Sequence, residues 1–391
     1  MLRHLFNRWE NPAAAQPRLW NPRYGALDGW RGLAALAVVV QHVFHVRIGH
    51  TAVMLFFVIS GYCITASATS CLKRGLGFRA FMWRRIRRIY PPYLLAVGYF
   101  IVTRLIKAGM GGANQLDLPL HVWVQNFTMT QWLSLLNTNY AYAADNPANF
   151  VTAYWSLNYE EQFYLVIALM MVASLNLRRS LQFFALPLIG VALLWNLLLP
   201  YYSHGIFIEY WLHFGVGLLL FYRLCRMKRR LARRLFDVSL AVLALCSAYV
   251  AWFVQPDWYY KRPLGMELFT VAVFGLLLVL LRPLDERIGN LFVGRLLKSL
   301  GAISYSLYLI HQCNIRLVEG VTARLLPATW EWPSMFLQLA LHVLLAVPFY
   351  LICERPFLNK SLVGAPVPAD QTFVQTSFPE PVGLPVREAT P

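Results

Sequence analysis

Charged residues are scarce in this sequence, and acids are the scarcer sign. Asp, Glu, Lys and Arg make up 14% of the 391 residues, against about 25% in an average soluble chain. There are 18 acids and 35 basic residues, while 58% of the residues are apolar and the mean hydropathy is +0.49. This composition excludes an ordinary soluble domain, and recurring apolar runs of roughly 18 to 22 residues predict membrane-spanning helices.

Cysteine is also scarce, and its spacing is uninformative. None of the six cysteines stands in a CxxC pair, and none falls in a predicted outer loop. We therefore expect no structural disulfide and no metal site. A secretory signal is not expected either, because the first 25 residues are polar, proline-rich and basic before the first span begins.

The apolar runs predict an all-α integral membrane protein, a bundle of about ten transmembrane helices with both termini cytoplasmic. The predicted spans cover about residues 26–46, 51–70, 89–107, 155–177, 181–200, 205–222, 236–254, 264–281, 299–318 and 333–353. The long connection 108–154 is expected to be partly helical near 119–136. The predicted parts are a cytoplasmic N-terminal segment 1–25, a transmembrane domain 26–358 and a disordered cytoplasmic tail 359–391.

The distribution of basic residues supports this orientation. With the N-terminus inside, 27 of the 35 Lys and Arg residues fall on the inner side and 7 on the outer side, with Arg31 inside the first span. Such an excess on the cytoplasmic side is the usual orientation signal of multi-pass membrane proteins. The net charge of +17 is explained in this way, so the sequence does not predict nucleic-acid binding.

The first predicted span carries an arginine and a histidine near its two ends, in RGLAALAVVVQH. Arg31 and His42 differ by about 20° around the helix and lie about 16 Å apart along one stripe. Charged residues in spans usually face the bundle interior or a water-filled cavity, although both could be boundary residues that reach the membrane surfaces. We favour a joint site along a path across the bilayer, with His42 as a general base.

Four arginines in five positions stand at the start of the third span, in FRAFMWRRIRRIYPP. They are Arg84, Arg85, Arg87 and Arg88. Guanidinium groups suit the geometry of phosphate oxygens, which predicts a phosphate clamp. A topology signal or a patch for anionic lipid headgroups would account for the same run.

Two later stretches combine polar side chains with the ends of spans. In WSLNYEEQFY, Glu160 and Glu161 point about 100° apart, so at most one of them faces a site. Trp155 in the same stretch suits an interfacial aromatic belt. Three side chains of SYSLYLIH share one helix face, which suits polar helix packing or substrate contacts: Ser304, Tyr308 and His311.

Six stretches, in order over roughly residues 26–358, resemble the acyltransferase 3 family of multi-span membrane acyltransferases. They are LDGWRGLAALAVVVQH, LFFVISGYCIT, RRIRRIYPPYLL, WSLNYEEQFYL, SYSLYLIH and ERPF. The resemblance implies transfer of an acyl group, often acetyl, from cytoplasmic acyl-CoA to a hydroxyl of a carbohydrate or glycolipid acceptor. It implies acyl-CoA as donor co-substrate without a permanently bound cofactor, and a multi-pass location in the bacterial inner membrane.

The resemblance also assigns residues. Arg31 and His42 fall on the family's essential pair and Glu160 on the Glu of its Trp-Ser-Leu-x-x-Glu pattern, so these three are the predicted catalytic residues. The predicted coenzyme-binding residues are the Arg-x-x-Arg pair and its neighbour: Arg85, Arg88 and Arg84. The predicted substrate-binding residues include the serine of the second-span Ser-Gly: Ser60, Tyr308, His311 and Trp155.

Two departures from the family pattern bear on mechanism. The ninth span reads IHQ where many relatives have His-Trp, which bears on the acceptor side. No hydrolase-like domain is expected after the tenth span, so the whole reaction would occur in the bundle or the acyl group would pass to a separate partner. Direct transfer and a covalent carrier, acyl-His42 or acyl-Ser60, both stay open, as do the acceptor, the acyl group and a homo-oligomeric state.

The alternative function is a transporter or flippase for a lipid-linked or acyl-bearing molecule. Intramembrane Arg, His and Glu suit such a protein equally well. Many transporters show internal repeats with broken spans in matching halves, and the sequence shows no such repeat. We therefore favour the enzyme.

Overall fold

The computed structural model describes residues 24–109, 111, 116–135, 146–147, 150–199, 205–254 and 263–358. These residues belong to one compact unit that ends at Leu358. The predicted N-terminal segment, except Tyr24 and Gly25, and the predicted tail 359–391 lie outside the described residues.

The described residues form α-helices, short helical turns and loops, without a β-strand among them. The α-helices are α1 (Ala26–Phe44), α2 (Gly49–Lys73), α3 (Phe78–Gly109), α4 (Leu120–Thr128), α5 (Trp132–Leu135), α6 (Trp155–Leu177), α7 (Leu181–Leu198), α8 (Trp211–Cys225), α9 (Arg230–Tyr249), α10 (Leu264–Leu281), α11 (Asp285–Asn290), α12 (Phe292–Ala302), α13 (Ser304–Leu325) and α14 (Glu331–Phe349).

Seven helical segments of the described chain are long and apolar enough to cross a membrane. They are Gly49–Lys73, Phe78–Gly109, Thr152–Leu177, Leu181–Leu198, Arg230–Val254, Leu264–Asn290 and Glu331–Phe357. The protein is therefore a multi-pass membrane protein. Helix α8 is a shorter apolar helix, and polar side chains reduce the hydropathy of α1 and α13. The count of ten spans and the orientation of the termini stay predictions.

Within the described residues, helices occupy all the predicted spans, with three differences. Helix α3 begins at Phe78, well before the predicted span 89–107. The predicted span 205–222 is helical as α8 only from Trp211, after a 3₁₀ turn over Phe207–Glu209. The predicted span 299–318 is divided at Ile303 between α12 and α13. Apolar composition continues through this break, so hydropathy alone could not reveal it.

Helix α2 lies at the centre of the bundle and makes its closest contact with α8. A Cβ atom added to Gly61 would lie 2.1 Å from the carbonyl oxygen of Phe214, and one added to Gly217 would lie 1.9 Å from that of Val58. Only glycine permits two helix backbones to approach so closely, a common device in membrane helix packing. This contact fixes α2, which contributes residues to both cavities of the site.

Candidate active site

Two cavities meet inside the bundle at the side chain of Tyr308, which lines both. The arginine cavity has a volume of about 100 Å³, and its polar lining includes Arg31, Ser60, Arg85, Arg88, Glu160 and Tyr164. The histidine cavity has a volume of about 380 Å³, and its lining includes Gln41, His42, His50, Trp155, Tyr210 and Gln312. The Tyr308 hydroxyl donates a hydrogen bond to the Ala153 carbonyl oxygen and lies 2.7 Å from the Ser156 hydroxyl. These bonds hold its ring at the junction of the cavities.

The predicted Arg31–His42 pair spans this junction. Arg31 stands near the start of α1 and lines the arginine cavity, whereas His42 stands near its end and lines the histidine cavity. The helical rise places them about 16 Å apart along the axis. The shared stripe of α1 therefore borders both cavities.

Guanidinium groups give the arginine cavity its positive charge. The guanidinium carbon of Arg85 lies 5.7 Å from the ring centroid of Phe81 and 5.9 Å from that of Tyr164. Its Nε atom is buried and has no hydrogen-bond partner among the described residues. A buried donor of this kind suits an anionic ligand, because its N–H otherwise costs desolvation energy without compensation.

The consecutive arginines of α3 do not all face the arginine cavity. Arg85 and Arg88 line the arginine cavity, while Nη1 of Arg84 lies 3.5 Å from Sγ of Cys71. Within the described residues, neither cavity includes Arg84. Neighbouring positions point about 100° apart on a helix, so consecutive arginines cannot all face one cavity.

Glu160 is the acid in the arginine cavity. Its Oε1 accepts hydrogen bonds from the Ser60 hydroxyl at 3.0 Å and the Tyr164 hydroxyl at 2.6 Å. Glu161 points elsewhere and accepts a hydrogen bond from Tyr90. The predicted catalytic residues Glu160 and His42 therefore line different cavities.

In the histidine cavity, His42 is held by neighbours from α13. The His42 ring centroid lies 5.2 Å from that of His311, and the side-chain amide nitrogen of Gln312 lies 3.3 Å from Nε2 of His42. The Gln312 Oε1 accepts a hydrogen bond from the backbone N–H of Ala153 at 2.9 Å. The departure at IHQ therefore lies beside His42.

The predicted substrate contacts separate into three positions. Ser60 lines the arginine cavity, Trp155 lines the histidine cavity, and Tyr308 lines both. His311 is fully buried, and its Nδ1 atom lies 2.7 Å from the Tyr308 carbonyl oxygen. In the described structure His311 packs behind His42 and is not part of either lining.

Sequence reasoning missed His50 and Tyr210, which also line the histidine cavity. The His50 ring stacks on Trp155 with a centroid distance of 5.9 Å and an interplanar angle of 15°. His50 also contacts Glu267 on α10. The signal available in the sequence was Glu267 itself, because an acid inside a predicted span is costly unless it has a partner.

The arrangement can bring two different reactants together. An anionic molecule can be bound by the guanidinium groups, while His42 can exchange protons with a hydroxyl group in the larger cavity. Tyr308 marks the place where the two would meet.

Comparison with known proteins gives one family. A family model described as an acyltransferase domain matches residues 24–353. The chain is 26% identical over 355 residues to a putative peptidoglycan O-acetyltransferase, YrhL of Bacillus subtilis, covering 84% of this chain and 54% of that protein. It is 26% identical over 369 residues to the peptidoglycan O-acetyltransferase OatA of Listeria monocytogenes, covering 87% and 56%.

A third relative is closer in length to this chain than the first two. The putative membrane-bound transacylase BcsY of Komagataeibacter xylinus is 27% identical over 371 residues, covering 89% of each chain. The chain spans about half the length of the first two relatives. No solved structure matches the chain significantly.

Proposed function

The chain belongs to this acyltransferase family, and from that premise we propose that it moves an acetyl group from cytoplasmic acetyl-CoA to a hydroxyl group of a carbohydrate or glycolipid. The reaction takes place in the bacterial inner membrane. One observation carries the proposal: a cavity with three guanidinium groups and a cavity with two histidines share Tyr308. The names of the relatives support O-acetyl transfer and a carbohydrate acceptor.

The donor enters at the arginine cavity. With the N-terminus in the cytoplasm, α1 begins at the cytoplasmic side and Arg31 lies near that side. A volume of about 100 Å³ admits several water-sized groups and is too small for a nucleotide. The nucleotide therefore stays at the mouth of the cavity, near the arginine run of α3, while the narrow pantetheine arm enters. The unpartnered Nε of Arg85 supports an anionic ligand there.

The acceptor enters at the histidine cavity. His42 takes the proton of the acceptor hydroxyl, and the oxygen attacks the thioester carbonyl near Tyr308. The new ester bond forms as the carbon–sulfur bond breaks, and the sulfur leaves as the thiol after taking the proton from His42. General-base catalysis of this kind contributes about 10²- to 10⁴-fold. Donor and acceptor meet directly, so the scheme needs no acyl-enzyme.

The test uses purified protein in nanodiscs with radiolabelled acetyl-CoA. The acceptor probes are chitotetraose, cellotetraose and a membrane glycolipid extract. We expect label transfer by the wild type and a fall in kcat of about 10²- to 10⁴-fold for His42→Ala, with an unchanged KM for acetyl-CoA. His121→Ala is the control, because His121 is exposed on α4 and belongs to neither described lining.

The proposal is contradicted if folded wild-type protein neither binds nor turns over acetyl-CoA. Movement of a lipid-linked glycan across reconstituted vesicles without acetyl-CoA turnover would instead establish the transporter.

A further inference from the structure

A buried carboxylate connects three helices beside the histidine cavity. Oε1 of Glu267, in the first turn of α10, lies 2.6 Å from Nε2 of His50 at the start of α2. Its Oε2 lies 3.3 Å from Nε2 of His213 on α8. Glu267 is 3% exposed and His213 is fully buried. The general base in the proposed reaction, His42, contacts an amide instead.

Of these three side chains, only His50 belongs to the described lining of the histidine cavity. About a third of its side chain is exposed, whereas that of Glu267 is 2% exposed. Burying a carboxylate in a membrane protein is costly unless partners compensate for the lost solvation. Glu267, which also contacts His213, therefore holds the His50 ring at the wall of the histidine cavity.

The orientation of the His50 ring is fixed on two sides. Its face stacks on Trp155, and its edge meets Tyr210 at a centroid distance of 6.5 Å and an angle of 60°. Imidazole has two ring nitrogens, so a histidine that contacts a carboxylate through Nε2 can direct Nδ1 toward a second group.

We propose that His50 binds the acceptor of the proposed transfer reaction. Its ring forms a hydrogen bond with a hydroxyl next to the one that reacts at His42. This role rests on the proposed function and adds that the acceptor carries two neighbouring hydroxyl groups, as in the diol of a sugar ring. His50 thereby selects which hydroxyl group is acetylated, and Glu267 is a positioning residue that acts through His50.

The surroundings of His50 fit a sugar ring better than an isolated alcohol. Trp155, Tyr210 and Tyr308 provide apolar surface in the same cavity, and the histidines provide directional polar contacts. Ligand sites generally combine apolar walls with a few polar groups that fix orientation. A cavity of about 380 Å³ also exceeds the needs of a small alcohol.

Two substitutions of His50 separate its hydrogen bond from its stacking. His50→Phe keeps an aromatic ring against Trp155 and removes the hydrogen bond, whereas His50→Gln keeps a polar group and removes the stacked ring. With acetyl-CoA and cellotetraose in nanodiscs, we expect His50→Phe to raise the KM for cellotetraose about 10- to 100-fold. The KM for acetyl-CoA stays unchanged. NMR of the product should show acetylation spread over more than one hydroxyl, with selectivity partly restored in His50→Gln.

Glu267→Gln should give the same pattern, with a smaller rise in acceptor KM. Glu209→Gln is the matched control, because Glu209 is a buried acid that accepts a hydrogen bond from Tyr159 and belongs to neither described lining. A purely structural role for Glu267 would reduce the amount of folded protein in both variants without a selective change in acceptor KM.

Two results would overturn the inference while leaving the transferase intact. One is wild-type KM for cellotetraose and wild-type product selectivity in folded His50→Phe. The other is wild-type turnover of acetyl-CoA without transfer to any carbohydrate tested. Failure of the wild type to bind acetyl-CoA would instead remove the proposed function itself, so the two failures can be told apart.

Discussion

The arginine cavity and the histidine cavity share helices α1, α2, α6 and α13, whereas α3 lines only the arginine cavity. The two cavities also differ in the kind of charged group they carry. Arg31, Arg85 and Arg88 line the arginine cavity, and a guanidinium group is a charged, fork-shaped hydrogen-bond donor that suits anions. His42 and His50 line the histidine cavity, and imidazole is the side chain that most often transfers protons in catalysis. Holding an anion requires permanent charge, whereas moving a proton requires a group that can change its charge. This difference underlies our proposal that one cavity binds the donor and the other holds the acceptor.

The largest expected effect on substrate binding comes from removing the donor-side charge. Arg85→Ala/Arg88→Ala should raise the KM for acetyl-CoA about 100-fold or more, because each hydrogen bond to a charged group is worth about 1.5–3 kcal/mol. The KM for the acceptor should stay near its wild-type value. Initial rates in nanodiscs with each substrate varied in turn provide the measurement.

The matched control for this double variant is Arg229→Ala/Arg230→Ala, which removes two exposed arginines at the start of α9. A similar loss of acetyl-CoA affinity in both double variants would show that general membrane-surface charge, not the arginine cavity, attracts the donor.

A smaller effect is expected at the boundary between the cavities. Tyr308→Ala removes the ring that both linings share and should let water reach the thioester. We expect hydrolysis of acetyl-CoA to rise about tenfold relative to transfer, equivalent to about 1.4 kcal/mol of lost discrimination. Release of free acetate and labelled product are measured side by side.

Tyr308→Phe sharpens this prediction, because it keeps the ring and removes only the hydroxyl contacts with Ser156 and Ala153. It should retain most of the wild-type ratio of transfer to hydrolysis. Equal hydrolysis in the alanine and phenylalanine variants would show that the ring of residue 308 does not keep water from the thioester.

The smallest effect is expected beside His42. Gln312→Ala removes one hydrogen bond to the imidazole and should lower kcat about fivefold, since a neutral hydrogen bond contributes about 1 kcal/mol. The KM for acetyl-CoA should not change. The control is Gln125→Ala, which removes a side-chain amide on α4 that accepts a hydrogen bond from Ser134. A rise in the KM for acetyl-CoA in Gln312→Ala would contradict the proposal that only the arginine cavity binds the donor.

Much of the helical framework could be predicted because apolar runs and polar turns are local signals. The predicted spans 155–177 and 264–281 coincide with α6 and α10. The Arg31–His42 stripe was accessible for the same reason, since one helix fixes the relation between both side chains. The break at Ile303 was not accessible, because the apolar pattern runs through it.

The contacts that complete the histidine cavity were beyond the reach of local patterns. His50 and Glu267 are separated by 217 positions, and Gln312 and His42 by 270. Such pairs depend on which helices become neighbours, and periodicity within one span carries no record of that choice. Helical phase alone predicts that consecutive arginines of α3 cannot all face one cavity. The contact of Arg84 with Cys71 could be seen only in the structure, because it depends on how α2 and α3 pack.

The contact of Gly61 and Gly217 has a consequence for how the molecule works. Because the backbones of α2 and α8 touch with no side chain between them, neither helix can slide or roll against the other without colliding carbonyl groups. Along α2, His50 borders one cavity and Ser60 the other, so the same rigid rod sets the spacing of both openings. A rocking motion of α2 against α8 would have to break this contact. In the proposed reaction, α2 and α8 would therefore stay in place while the two substrates come to them.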